Sequence, residues 1–417
     1  MFNQKRNLKY PSLFLICFFI STALFLNSCG RFILKDEGVE NKSIEELSGV
    51  SSAKTDDRGC LIINASHFVK SSADNTTSTL AVTEITQTAG YTGSFVVPSN
   101  GVSFVLSIFK DNNASTTFYS LNDPDGIDIL SPSSTPNLYN DATGSVGEKD
   151  LSKAGYSNVL VPQSPSFSAK AGTWTFKVSA NDRVSIALRT GSTPSAATIT
   201  IQPYITGTTW SAGDISVALI IMKRIYSKNG ITLTVKSTIT ISDTQYATVS
   251  KTFTDTTTSA LLSQGSTDGV NLFFVQDQLE KTSFLGKAAG IPGSMGIANS
   301  WNGVLIFLIP HASGTMLDAQ LLGETAAHEM GHQLGLFHTT ESGGNQFDIL
   351  SDTLECQKST QNNNSDWKVS AEECESYGAE NVMFWTSWSS SSRSAGKKQE
   401  VLCNQQQQVL KYSPLAK

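Results

Sequence analysis

The eleven residues from His328 to His338 limit the fold and the chemistry of this chain more than any other segment. Their sequence is HEMGHQLGLFH, and it contains three of the five histidines of the chain. Residues four apart share one face of a helix, so His328 and His332 can direct their imidazoles at a single metal ion. Glu329 lies beside the first of them, where its carboxylate can reach a water at that ion. The segment predicts a metal centre on a helix.

A glycine near the end of this segment predicts a sharp turn. Gly335 follows three residues after His332, and glycine adopts the positive φ of such a turn without steric cost. The turn brings His338 back as a third ligand. Three neutral imidazoles leave the fourth position of tetrahedral zinc open, which is typical of a catalytic rather than a structural site.

The spacing HExxHxxGxxH resembles that of the metzincin clan of zinc endopeptidases. The clan places a methionine-bearing turn beneath the zinc, and Met383, within NVMFW, fits this role better than that of an isolated core residue. The resemblance implies an α+β catalytic domain with a mixed sheet, an active-site helix and this Met-turn. It also implies hydrolysis of peptide bonds, with Glu329 as general base and with zinc held by His328, His332 and His338.

Within the clan, the chain resembles the pappalysin-like proteases through Thr339-Thr340 and the segment 347–356, FDILSDTLEC. In that family, acidic residues near the site bind structural calcium. Asp348 and Asp352 are therefore candidates for a calcium site, with a plain turn and capping role as the alternative.

An apolar strand is expected before the active-site helix. Val304–Phe307 resembles the rim strand to which the substrate backbone of these enzymes adds as a further strand, although a buried apolar strand would have the same composition. The glycine-rich segment 286–296 is expected to be a mobile rim. Strands are also predicted at 231–235 and 270–275, and helices at 215–226, 317–333 and 405–411.

The region before the catalytic domain has the period of β-strands. Short runs that alternate apolar and polar residues, broken by turn residues, predict an antiparallel β-sandwich over residues 61–195, followed by the metallopeptidase domain over 196–417. The segments 121–126 and 171–176 resemble a jelly-roll domain associated with secreted peptidases. The aspartates at 123, 125 and 128 either bind calcium or only shape a turn.

The amino-terminal residues resemble an export signal. A basic start precedes fourteen largely apolar residues, Leu13–Leu26, which are too few to span a bilayer. Leu26–Gly30 resembles a bacterial lipobox, which implies removal of residues 1–28 and lipidation of Cys29; an ordinary secretory signal is the alternative. Residues 29–60 read as a polar tether. We expect a cell-envelope protein anchored through this lipid in the outer membrane, or one released outside the cell.

Four further cysteines allow three pairings in an oxidising compartment. We favour Cys356 with Cys374 and Cys60 with Cys403. The alternative for Cys60 is a zymogen thiol that occupies the metal.

Composition restricts the partners. A formal net charge of −6 without a block of like charge excludes an electrostatic footprint for nucleic acid. We expect a monomer that acts on a protein or peptide substrate. Two rival functions are a surface adhesion lipoprotein with an inactive or latent peptidase domain, and a zinc-dependent amidase with a non-protein substrate.

Overall fold

The first part of the described chain consists of antiparallel strands. The computed structural model describes residues 55–61, 79–85, 92–110, 114–130, 152–164, 167–179, 183–192, 195–361, 364 and 366–417. Eight strands form two four-stranded sheets, ordered β1-β8-β3-β6 and β2-β7-β4-β5. The strands are β1 Thr79–Ile85, β2 Thr92–Val97, β3 Gly101–Phe109, β4 Ser115–Asn122, β5 Ser152–Ala154, β6 Tyr156–Val161, β7 Gly172–Val178 and β8 Arg183–Thr190.

The two sheets of this sandwich differ in how many of their faces are covered. In β7, Trp174, Phe176 and Val178 are buried while the residues between them face solvent. This alternation is typical of a sheet with one solvent-exposed face. In contrast, eight of the nine residues of β3 are buried. The sheet that contains β3 is therefore covered on both faces, by the outer sheet and by the carboxyl-terminal half of the chain.

The carboxyl-terminal half is built on a mixed sheet, ordered β10-β9-β13-β16-β15, with β11 also paired to β9. Its strands run parallel except β15, which is antiparallel to β16. The remaining strands are β9 Ala197–Thr206, β10 Ile231–Val235, β11 Ile239–Ile241, β12 Thr248–Val249, β13 Val270–Val275, β14 Asp277–Gln278, β15 Gly286–Ala288, β16 Val304–Phe307, β17 Ala312–Ser313 and β18 Met316–Leu317.

Two long helices cover one face of this sheet. The helices are α1 Ser216–Lys228, α2 Thr256–Leu262, α3 Ala319–Gln333, α4 Lys358–Gln361, α5 Ser390–Ser394 and α6 Asn404–Tyr412, with 3₁₀ turns at Thr244–Tyr246 and Ile309–His311. A Cβ at Gly323 would lie 2.7 Å from Cγ2 of Ile221, so α1 and α3 approach closely at a glycine. The α+β architecture with a mixed sheet confirms the expectation for this half.

The prediction that Val304–Phe307 forms the edge of the sheet is wrong. Val304–Phe307 lies inside the sheet, between β13 and β15, and all four of its residues are buried. The edge is Gly286–Ala288, within the segment expected to be a mobile rim. Apolar composition reports burial but not the position of a strand in its sheet, and a three-residue strand is too short to show a period.

The sandwich and the carboxyl-terminal half pack directly on each other. Val105 and Leu160 of the inner sheet belong to the same hydrophobic cluster as Met330 and Leu334 at the end of α3. The Tyr156 ring stacks on Trp301 with 5.2 Å between centroids. All described residues fall within one compact unit, Ala53–Lys417.

Several predictions concern residues outside or near the ends of the described chain. The signal peptide 1–28, the lipidated Cys29 and most of the tether 29–60 lie outside the described residues. Among the residues that the structure describes, no helix is both long and apolar enough to cross a membrane.

The aspartates of the sandwich act as turn residues. The Asp123 carboxylate accepts hydrogen bonds from the backbone N–H groups of Asp125 (2.9 Å) and Ile127 (3.0 Å). The ammonium group of Lys170 lies 2.5 Å from Asp123 and 2.9 Å from Asp125. A lysine between the two carboxylates supplies the positive charge that calcium would bring, so the turn interpretation describes this segment.

Candidate metal centre

The helix α3, which carries His328 and His332, is held on almost all sides. Asp318 caps its first turn, since its side chain accepts a hydrogen bond from the Leu321 N–H at 3.0 Å. Twelve of its fifteen residues are buried, so the side chains on it have little freedom to change rotamer. The helix ends at Gln333, two residues before Gly335, whose φ is +112°.

The structure brings the three predicted histidine ligands together. Nε2 of His338 lies 3.0 Å from Nε2 of His332 and 3.2 Å from Nε2 of His328. Among the described residues, these three form the one group of three or more histidine, cysteine or acidic side chains close enough to share an ion.

The hydrogen bonds of the rings fix which nitrogens carry protons. Nδ1 of His328 donates to the Val382 carbonyl and Nδ1 of His332 donates to the Leu336 carbonyl, each at 2.7 Å. Nδ1 of His338 lies 3.2 Å from a carboxylate oxygen of Glu341. A neutral imidazole protonated at Nδ1 has a lone pair at Nε2, so the lone pairs of His328 and His332 point toward Nε2 of His338, whose own Nδ1 makes no hydrogen bond.

This donor set fits a zinc ion. Nε2 of His338 lies 3.0 and 3.2 Å from the other two Nε2 atoms, and a cation among the three can accept a lone pair from each ring. Nitrogens bound tetrahedrally to zinc at 2.0–2.1 Å are about 3.4 Å apart, close to the observed spacing. Burial lowers the pKa of His328 to about 3, which keeps the ring in the neutral form that metal binding requires.

The edge strand β15 holds Glu329. The Ala288 N–H donates to Oε2 of Glu329 at 2.8 Å. A Cβ at Gly286 would lie 2.8 Å from Cγ of Glu329, so the absence of a side chain there lets the glutamate reach the strand. Burial raises the pKa of Glu329 to about 8, against the Ala288 hydrogen bond and the charge of Lys287.

The predicted Met-turn lies against the histidine-bearing helix. Met383 is fully buried, and a Cβ at Gly331 of the helix would collide with its sulfur. The Asn381 side chain accepts a hydrogen bond from the Met383 N–H at 2.8 Å. Since the neighbouring Val382 carbonyl accepts a hydrogen bond from Nδ1 of His328, this turn also orients the His328 ring.

The two candidate calcium ligands, Asp348 and Asp352, are buried, and only one oxygen of each carboxylate accepts hydrogen bonds. Asp348 accepts hydrogen bonds from the Thr353 hydroxyl (2.6 Å) and the Leu350 N–H (3.1 Å). Asp352 accepts from the Gln405 N–H at 2.8 Å. One oxygen of each carboxylate has no hydrogen-bond partner, and burial raises the pKa of Asp348 to about 8.

Both favoured disulfides are present. Cys60 is bonded to Cys403 and Cys356 to Cys374. Cys60 is therefore not a free thiol that could occupy the metal, and the zymogen alternative does not describe this structure.

Sequence reasoning missed the groups that orient the predicted residues. Gly286, Ala288 and Glu341 each lie beside a predicted site residue. Glu341 follows His338 by three residues and could have been found from that spacing, whereas Gly286 and Ala288 are more than 40 residues before Glu329 and carry no motif.

Comparisons with known proteins agree with this geometry. Residues 214–339 match the metallo-peptidase family M12B, reprolysin-like. The chain is 37% identical over 101 residues to extracellular metalloprotease 1 of Coccidioides posadasii (strain C735), a match that covers 22% of this chain and 33% of that protein. These matches support a reprolysin-like metallopeptidase domain of the metzincin type.

A solved structure is also similar in part. Archaemetzincin from Methanopyrus kandleri aligns at 13% identity and a TM-score of 0.29, over 53% of this chain and 97% of that one. The chain spans about a third of the length of the Coccidioides protein.

Proposed function

We propose that this chain is a zinc-dependent endopeptidase that hydrolyses peptide bonds of proteins outside the cytoplasm. The observation that carries the proposal is the convergence of three histidine Nε2 atoms, two of them on rings whose Nδ1 donates to a backbone carbonyl. His328, His332 and His338 would hold the zinc. When bound, zinc supplies Lewis acidity, which polarises a carbonyl group and makes water more acidic.

Glu329 is the proton carrier in this proposal. It follows the first ligand on a buried helix and keeps one carboxylate oxygen, Oε1, outside its bond to Ala288. That oxygen can accept a proton from the attacking water and return it to the leaving amine. Gly286 and Ala288 keep the carboxylate in place during both transfers.

The sheet edge favours an extended peptide as substrate. Leu285 accepts from the Phe307 N–H and Ala289 donates to the Gly303 carbonyl, so alternate residues of this strand face β16. The backbone groups of Gly286 and Ala288 between them face away from the sheet. Apart from the Ala288 N–H, these groups are available to pair with a substrate strand.

The test compares the purified chain with its Glu329→Gln variant on an unfolded protein. We expect cleavage by the parent chain, at least a ~10³-fold lower kcat in the variant, and equal zinc content in both. Equal cleavage by both proteins would contradict the role of Glu329. A folded parent chain without zinc would contradict the function, and zinc without cleavage would favour the adhesion alternative.

We further propose export and lipidation at Cys29, which place a monomeric enzyme in the cell envelope or release it outside the cell. Mass spectrometry of the protein expressed in bacteria should show a lipid-modified amino terminus that the Cys29→Ser variant lacks. An unmodified chain that begins after residue 28 would contradict the anchor.

We also propose that the chain is pappalysin-like and that Asp348 and Asp352 bind calcium. The unpartnered oxygens of Asp348 and Asp352 support a cation there. Calcium should raise the thermal unfolding temperature of the parent chain but not of Asp348→Asn. The strand orders 1-8-3-6 and 2-7-4-5 support the jelly-roll interpretation of the sandwich.

A further inference from the structure

The loop that carries His338 leaves the active-site helix against the sandwich. The Gln163 side chain, only 2% exposed, donates from Nε2 to the Gly335 carbonyl. A Cβ at Gly335 would lie 2.5 Å from Cδ2 of Leu160. Gly335 is thus needed for close approach to the sandwich as well as for its positive φ.

The residue before the third ligand is part of the sandwich core. Phe337 is 5% exposed and belongs to the hydrophobic cluster that fills the space between the two sheets, together with Phe104, Trp174 and Phe176. Because Phe337 directly precedes His338, anchoring its side chain in the sandwich restrains the backbone from which the His338 imidazole projects toward the other two histidines.

The other side of the loop is tied to the Met-turn. The Thr339 N–H donates to the Met383 carbonyl at 3.0 Å. The three residues 337–339 are therefore fixed by one element before them in the chain and one after them, while the helix itself fixes only the first two ligands.

We propose that the sandwich positions the third metal ligand: Gln163, Leu160 and the core around Phe337 form a clamp that sets the place of His338, so zinc affinity depends on the sandwich. This inference rests on the proposed function. It makes the sandwich a component of the metal centre rather than a detachable module that recruits substrate. Gln163 is a positioning residue, since it acts through the Gly335 backbone.

The test measures zinc affinity and the rate at which a chelator removes zinc from the full chain. Gln163→Met keeps the shape of the side chain and removes the donor. We expect zinc to bind about tenfold more weakly and to leave correspondingly faster, the lower end of the effect of removing a group that orients a ligand.

A matched pair of variants separates positioning from stability. Phe337 and Phe118 belong to the same cluster and are 5% and 6% exposed, but Phe118 is on the outer sheet. Phe337→Leu and Phe118→Leu should lower the unfolding temperature similarly. Only Phe337→Leu should release zinc faster, by about three- to tenfold.

The outcomes are distinct. Faster zinc release from Gln163→Met and Phe337→Leu supports the clamp, provided that Phe118→Leu releases zinc at the rate of the parent chain. Equal zinc affinity in all four proteins overturns the clamp and leaves the proposed function intact. If Phe118→Leu weakens zinc binding as much as Phe337→Leu does, the clamp is also overturned, because general destabilisation would then be the cause. A parent chain that binds no zinc overturns the proposed function itself.

Discussion

The helix and the loop hold their parts of the proposed metal centre in different ways. His328 and His332 are four residues apart on a buried helix, and local geometry alone places them on one face. His338 lies on the loop, whose neighbours are the sandwich, about 170 residues earlier, and the Met-turn, about 45 residues later. The comparison shows that one short motif can combine a locally encoded part with a part that only the complete fold defines.

Removal of a ligand should have the largest effect and should not distinguish helix from loop. We expect His332→Ala and His338→Ala each to lower kcat/KM by at least ~10³-fold, about 4 kcal/mol, because two imidazoles do not retain zinc well. Zinc content and cleavage measure this. His311 is buried elsewhere and hydrogen-bonded to Phe307 and Thr325, so His311→Gln should keep its zinc. Full activity in His338→Ala would exclude the loop from the centre.

Gly335→Ala should disturb the loop while leaving the helix in place. The alanine would have to adopt a positive φ, and its methyl group would overlap the Leu160 side chain. We therefore expect it to lower the free energy of unfolding by about 3 kcal/mol and to weaken zinc binding. Gly314 also has a positive φ, but a Cβ added there would have no other atom within 4 Å. Gly314→Ala should therefore cost about 1 kcal/mol and leave zinc affinity unchanged. Denaturant unfolding and zinc titration of both variants measure the difference; equal costs would mean that the contact with Leu160 is unimportant.

Gly286→Ala should displace the Glu329 side chain, which the helix carries, without removing the metal. The new methyl group overlaps the glutamate Cγ, so we expect kcat to fall about 10- to 100-fold as the carboxylate shifts, with zinc content unchanged. The control is Gly213→Ala, where the nearest atom to the new methyl group is 3.5 Å away. Unchanged kcat in Gly286→Ala would show that Glu329 does not depend on the close approach to β15.

The smallest effect concerns Glu324, one turn before His328 on the helix. Burial raises its pKa to about 7 from an ordinary value near 4.5. The folded state therefore binds more protons than the unfolded state between about pH 4.5 and 7, and stability falls as pH rises through this window. Glu324→Gln should raise the free energy of unfolding by about 2 kcal/mol at pH 8 and change it little at pH 4.

Glu372 provides the opposite sign as a control. Hydrogen bonds from Ser392 and Ser389, which outweigh the effect of burial, lower its pKa to about 2. Its contribution to stability is present above about pH 4.5 and is lost as pH falls toward 2. Glu372→Gln should therefore destabilise the protein at pH 7. Denaturant unfolding of both variants at several pH values checks the two signs, and the same sign for both would contradict the assignment.

What could be predicted from the sequence follows the same division. The helix predicted over 317–333, the strand Val270–Val275 and the clustering of the three histidines follow from local periods and spacings. The structure has the strand, begins the helix at Ala319 and brings the three histidines together. The order of strands in the sheet is not local, which is why the composition of Val304–Phe307 cannot distinguish an edge from the interior. Gln163 carries no signal in the sequence because its role depends on a contact with a carbonyl 172 residues away.

The bond between Cys60 and Cys403 spans 343 residues and encloses the sandwich, the active-site helix and the Met-turn in one covalent ring. A single cut at any peptide bond inside that ring opens it but separates nothing, because the two new pieces remain joined through sulfur. A chain nicked once in a surface loop inside the ring therefore still keeps all three histidines in one covalently joined molecule. Such nicked molecules would migrate as one species on a gel until a reductant divides them.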